Sequence, residues 1–174
     1  AVAYRGYRLA VDYAQERLQG RNIKTDNNAL VPIIEHSDVK RMLLASKAYS
    51  EGSLALCLYC AKLVDQADDF EAQSLLELLT PVAKTFPAEY GLLANDLAIQ
   101  IHGGYGYTRD FDVEQLYRDN RLNPIHEGTS GIQAIDLLGR KIIGDSGKSL
   151  DIFINRVLQT CEIAGKTNLM NSSN

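Results

Sequence analysis

Apolar residues recur at spacings of three and four over most of the chain, and the breaks in that pattern divide it into helices. Tyr4, Tyr7, Val11 and Ala14 share one face of a first helix, running from Tyr4 to about Leu18 and ending near Gly20. The polar stretch from Arg21 to Asn28 has the composition of a loop. Pro32 is expected to keep the next few residues extended, and Ser37 stands where a helix N-cap would. Asp38 to Val64 carries the longest clean pattern, with Val39, Met42, Ser46, Ser50, Ser53, Cys57, Ala61 and Val64 on one stripe. Several of these are small, which lets a neighbouring helix approach closely and predicts packing along most of the helix.

After a short acidic connection, Asp65 to Asp69, a second long pattern runs from Glu71 to about Ile101. Pro81 and Pro87 interrupt it; each lacks an amide donor and crowds the preceding turn, so a kink or short break is expected near them. Gly103-Gly104 ends this helix in the manner of a glycine C-cap. Asp112 to Arg118 reads as a short helix with Asp112 and Gln115 as a capping box, and Ser130 to about Ile143 as another with a Ser130–Gln133 box. Ile132, Ile135, Leu138 and Ile142 fall on one face of the latter. Leu150 to Ala164 forms a last amphipathic helix, before an Asn/Ser tail expected to fray. No segment alternates apolar and polar residues over a strand length, so the expected fold class is all-α: a four-helix up-down bundle with extra short helices. Residues 1–144 are assigned to the bundle domain and 145–174 to a helical extension and tail.

Composition narrows the function classes. The 174 residues are 45% hydrophobic and 23% charged, a globular balance, and no apolar run reaches the roughly 18 residues of a membrane span. A formal charge of -4 argues against nucleic acid as a partner, because phosphate-backbone affinity needs clustered Lys and Arg. Three cysteines, an odd number, fit a reducing compartment better than a disulfide framework. Cys57 and Cys60 spell C-x-x-C inside an apolar helical run, where core packing is the expected role. The three histidines are too scattered to suggest a metal site, and no metal is expected.

The chemistry concentrates between Gln100 and Gln133, where glycines and charged residues stand between two apolar segments. Glu127 lies just upstream of the helix starting at Ser130, with Gly128 leaving room for a ligand to approach the backbone. An acidic residue near a helix N-terminus is favourable by roughly 0.3–1 kcal/mol and by itself needs no chemistry. Likewise Gln100 to Gly104 is by itself a capped helix end, and Arg17 a cation near a helix C-terminus.

The ordered series Q-I-H-G-G-Y-G-Y-T-R-D, V-E-Q-L-Y-R-D and I-H-E-G-T-S-G-I-Q resembles the C-terminal signature of the acyl-CoA dehydrogenase family, and the resemblance runs from about Ala1 to Ile143. It implies an FAD-dependent oxidoreductase in which Glu127 is the base that removes the α-proton of an acyl-CoA thioester. Such a base must be close, oriented and shielded from water. Gln100, Gly103 and Gly104 match the Q-I-x-G-G segment that reaches the adenosine portion of FAD bound by a neighbouring subunit. Arg17 matches the family Arg that contacts the FAD pyrophosphate, although the Thr and Phe usually following are absent. Thr129 matches the E-G-T threonine on the flavin side, while Gly131 stands where many relatives carry Gln.

The same resemblance implies N-terminal helical and middle β domains outside this chain, an electron-transfer flavoprotein as electron acceptor, a dimer or tetramer, and bacterial cytoplasm or mitochondrial matrix as compartment. The competing expectation is a non-catalytic helical association module that keeps the family shape, a group that includes DNA-binding relatives.

Overall fold

The computed structural model describes residues 1–21 and 29–166. Except for Arg21, the loop expected over 21–28 lies outside the described residues, as does the Asn/Ser tail. Among the described residues six α-helices follow in order: α1 (Val2–Glu16), α2 (Ser37–Val64), α3 (Phe70–His102), α4 (Val113–Arg121), α5 (Ser130–Ile135) and α6 (Lys148–Lys166). Short 3-10 turns occupy Ile33–Glu35 and Gly103–Tyr107, and a π-helical stretch, Asp136–Ile143, continues α5. The described residues contain no strand, only an isolated antiparallel bridge between Leu18 and Pro32. The fold class is all-α.

These elements form two compact units, Ala1–Leu58 with Ala83–Thr129, and Tyr59–Val82 with the residues from Ser130 onward. In the first unit the core joins Ala10 and Ala14 of α1, Met42 and Leu43 of α2, Ala98 and Ile101 of α3, and Val113 of α4. Its buried line on α1 is Gly6, Ala10 and Ala14; Tyr4, from the expected stripe, is exposed. Small residues win this face because α3 lies against it: a Cβ on Gly6 would stand 3.1 Å from Asn95 Nδ2. On α2, Ser46 Oγ donates to the Ala94 carbonyl of α3 at 3.3 Å, the close approach that its serine stripe predicts. Ser50 and Ser53 return their hydroxyls to carbonyls of their own helix, at Ser46 and Tyr49.

In the second unit Leu63, Ala72, Leu75 and Leu79 form a separate core, covered by Tyr59, Cys60, Ile152 and Phe153. A leucine as fully enclosed as Leu75 contributes about 1.5–3 kcal/mol.

Several expectations are corrected. Cys57, Ala61 and Val64 are exposed and Leu63 is the buried residue of the last turns, so the buried line of α2 leaves the expected stripe beyond Ser53 and Cys57 is not a core residue. Pro32 is extended, but the chain turns directly after it into the 3-10 turn. Helix α2 takes in Ser37 as its first residue. Helix α3 runs unbroken through both prolines; Pro81, Leu75, Leu78 and Ala88 are buried around them, and that packing outweighs two lost amide bonds. Asp112 makes no side-chain cap on α4. Its carboxylate accepts from Arg5 Nη2 at 2.7 Å, while Gln115 donates to Asp119. The helix from Ser130 changes winding at Asp136, where bonds such as Gly144 N to Gly139 O, at 3.1 Å, span five residues. Ile132, Ile135 and Leu138 are all exposed.

Candidate active site

Two cavities of the first unit hold Arg17, Gln100, Gly103, Gly104 and Glu127. The first, about 690 Å³, is lined by Arg17, His36, Gln100, His102, Gly103 and Gly104, among others. Arg17 stands at the C-terminus of α1, with its amide bonded to the Tyr13 carbonyl. Gln100 is on the last turn of α3, and Gly103 closes that helix with φ +62°, a left-handed conformation that glycine adopts without cost. A Cβ built on Gly103 or Gly104 would meet no atom within 4 Å, so both stand beside open space. At Gly106 the opposite holds. A Cβ there would lie 2.6 Å from the Ile99 carbonyl oxygen and 2.8 Å from His102 Cβ. The G-G-Y-G-Y turn is therefore pressed against α3 at its third glycine and open at its first two.

His102 anchors the same corner. It is buried, its Nδ1–H donates to the Ala98 carbonyl at 2.8 Å, and its ring stacks on Tyr13 with centroids 4.2 Å apart. Phe111 packs on both rings, nearly edge-on to Tyr13. Burial pushes the imidazole below its ordinary pKa, against a smaller opposite pull from the Ala98 bond. The unfolded chain therefore takes up a proton below about pH 6.5 more readily than the folded one. His102's stability contribution is full above that pH and is lost as pH falls through its folded value. Urea unfolding midpoints should fall between about pH 8 and about pH 5.5, and His102→Asn should flatten that fall; equal slopes would show that another group carries it.

The second cavity, about 600 Å³, is lined by Tyr4, Ser53, Leu54, Cys57, Lys84 and Glu127, among others. Glu127 sits on the loop between α4 and α5 with φ +54°, followed by Gly128 at φ +87°. A left-handed non-glycine residue costs roughly 1–2 kcal/mol and points to a functional constraint. Gly128 is thus required by backbone conformation, a reason that spacing alone does not reveal. Lys84 Nζ, from α3, donates to the carbonyls of Asn123 at 2.9 Å and Gly128 at 2.6 Å. Asn123 Nδ2 donates to Asn120 Oδ1 at 2.6 Å, and the buried Asn120 in turn faces the buried Asn95 at 3.4 Å. Glu127 itself is exposed in this chain.

Arg17, Gln100, Gly103 and Gly104 thus share one cavity and Glu127 lines another. Thr129 is exposed two residues beyond Glu127 and is not among the residues lining either. Sequence reading gave His36 and His102 no role beside the first cavity and missed Lys84 altogether. A glycine-rich helix end next to a histidine hinted at the former. No local pattern marks Lys84, whose partners lie 39 and 44 residues away. Among the described residues no cluster of three or more His, Cys, Asp or Glu could hold a metal ion, and no helix is long and apolar enough to cross a membrane.

Comparison with known proteins gives one family. The profile described as acyl-CoA dehydrogenase, C-terminal domain, matches residues 1–142. The chain is 42% identical to 3-methylmercaptopropionyl-CoA dehydrogenase of Ruegeria pomeroyi over 92% of its own length and 28% of the relative's. It is 38% identical to the broad-specificity linear acyl-CoA dehydrogenase FadE5 of Mycobacterium tuberculosis, over 83% of this chain and 26% of that one. The crystal structure of Caenorhabditis elegans ACDH-11 in complex with C11-CoA superposes with a TM-score of 0.77 at 26% identity, over 91% of this chain and 26% of the other. The chain spans about a quarter of the length of these relatives. With two cavities on a helical unit and a match across more than four-fifths of its residues, the chain belongs to the acyl-CoA dehydrogenase family, as a C-terminal domain of that family.

Proposed function

We propose that this domain supplies the base for α,β-dehydrogenation of an acyl-CoA thioester, and that Glu127 is that base. The observation carrying this reading is Glu127 held in a left-handed conformation at the edge of a 600 Å³ cavity, in a family of acyl-CoA dehydrogenases. The Glu127 carboxylate removes the proton α to the thioester carbonyl. Leu54 and Tyr4 supply apolar wall to the same cavity. The exposure of Glu127 here fits a pocket whose remaining walls belong to the other domains of the full-length enzyme. FAD, when bound, supplies the acceptor for the β-hydrogen and its electron pair.

The first cavity suits part of that cofactor. Arg17 offers a cation for a diphosphate, the bare backbone of Gly103 and Gly104 leaves room for a ligand, and Gln100 offers an amide. Because Glu127 lines a different cavity, the first is assigned to FAD of a neighbouring subunit, and Thr129 to the flavin beside Glu127. Exposed Ile132, Ile135 and Leu138 support self-association into a dimer or tetramer. The domain boundary near Gly144 is supported by the family match ending at residue 142. Electrons would pass on to an electron-transfer flavoprotein.

Flavin absorbance together with acyl-CoA-dependent dye reduction by the full-length protein tests this reading. A colourless, inactive full-length protein would favour the association module. Arg17→Met should weaken FAD retention by about tenfold or more, since a hydrogen bond to a charged group is worth roughly 1.5–3 kcal/mol. Equilibrium dialysis against FAD measures it, and unchanged affinity would remove Arg17 from the site.

A further inference from the structure

We propose that Lys84 is the positioning residue for Glu127, a reading that rests on Glu127 being the base. Lys84 is half-buried on α3, and its ammonium bonds to two main-chain carbonyls of the loop joining α4 to α5. One belongs to Asn123, four residues before Glu127, and the other to Gly128, the residue after it. The loop is thereby clamped on both sides of the carboxylate by one cation carried on a rigid helix. Bonds from an ammonium are charge-assisted, and the 2.6 Å contact to Gly128 is correspondingly short. That bond fixes the Gly128–Thr129 peptide plane, one peptide beyond Glu127, whose φ of +54° lies outside the ordinary wells of an L-amino acid.

A second support comes from Asn123, whose amide bonds to the buried Asn120 and ties the start of the loop to the unit's interior. Without Lys84, the loop would lose the two bonds that hold its main chain on either side of Glu127. Loops that carry a reacting group need such support, because a displacement of about 1 Å can cost about 10²-fold in rate. Lys84 also lines the same cavity as Glu127, so its removal acts on that cavity directly.

The test is a double-mutant cycle in the full-length protein, using Lys84→Met and Glu127→Gln singly and together, read by acyl-CoA-dependent flavin reduction. Lys84→Met should slow reduction by about 10²-fold with little change in the acyl-CoA concentration at half-saturation. In the Glu127→Gln background the same substitution should cost almost nothing further, because there is no base left to position. Hydrogen exchange on the same proteins should show faster exchange of peptides covering 123–129 in Lys84→Met, with α2 and α3 unchanged. A wild-type rate for Lys84→Met, an equal loss in both backgrounds, or unchanged exchange of the loop would each overturn the proposal. If Glu127→Gln alone retains full activity, the assignment of the base fails, an outcome distinct from these. Should Lys84→Met not fold, Lys84→Gln, whose shorter amide cannot span both carbonyls, takes its place with the same expected results.

Discussion

Replacing Glu127 with glutamine is expected to slow flavin reduction by acyl-CoA about 10²- to 10⁴-fold while leaving flavin content unchanged. The substitution keeps volume and hydrogen-bonding capacity and removes only the basic carboxylate. Glutamine can occupy the same loop position, since Gly128 carries its own left-handed conformation and Lys84 bonds to main-chain oxygens that the substitution leaves in place. Rapid mixing with acyl-CoA, followed at the flavin absorbance, gives the rate. A rate near wild type would show that another group is the base. Loss of flavin together with activity would give Glu127 a structural role.

Gly106→Ala is expected to be the most damaging single methyl addition near the sites. The new Cβ would fall 2.6 Å from the Ile99 oxygen and 3.0 Å from Ile99 Cα, both backbone atoms of a packed helix that cannot swing aside. The turn of Gly103–Tyr107 would have to lift off α3. Overpacking of this kind costs typically 1–3 kcal/mol, and a clash with backbone belongs at the upper end, near about 3 kcal/mol. Urea unfolding would show a lower midpoint at an unchanged slope. Because Gly103 and Gly104 sit on the lifted segment, FAD retention by the full-length protein should fall in the same variant. Wild-type stability would mean that the turn accommodates a side chain and does not hold the cavity's shape.

Much of the helical framework is legible in the chain's own pattern. The limits of α2 and α3, the glycine stop at Gly103 and the start of α5 at Ser130 all follow from spacing and from residues that act within one turn of themselves. The membership signalled by Gln100–Gly104 and Glu127–Thr129 was legible for a similar reason: those motifs are short and contiguous. Their grouping was not. Arg17 is more than eighty positions from Gln100 in sequence, and only the packing of α1 on α3 brings both to one cavity while Glu127 lines another.

Which face a helix buries was decided by its neighbours. Periodicity marks an apolar stripe on α1 through Tyr4, Tyr7, Val11 and Ala14; Ala14 is buried and Tyr7 and Val11 pack against the core, but Tyr4 is exposed, and α3 approaches so closely at Asn95 that Gly6 takes the buried line with Ala10 and Ala14. The same applies to Cys57, whose place on an apolar stripe predicts burial, whereas the chain leaves it exposed on the wall of the Glu127 cavity. Prolines 81 and 87 announce a kink or a short break, and of these tertiary packing overrules the break. By itself the sequence determined the helices and their order, because those depend on contacts within a few residues. The buried faces, the separation of the two cavities and the clamp of Lys84 on Asn123 and Gly128 were left to tertiary structure, because each depends on atoms brought together across dozens of residues that no local spacing records.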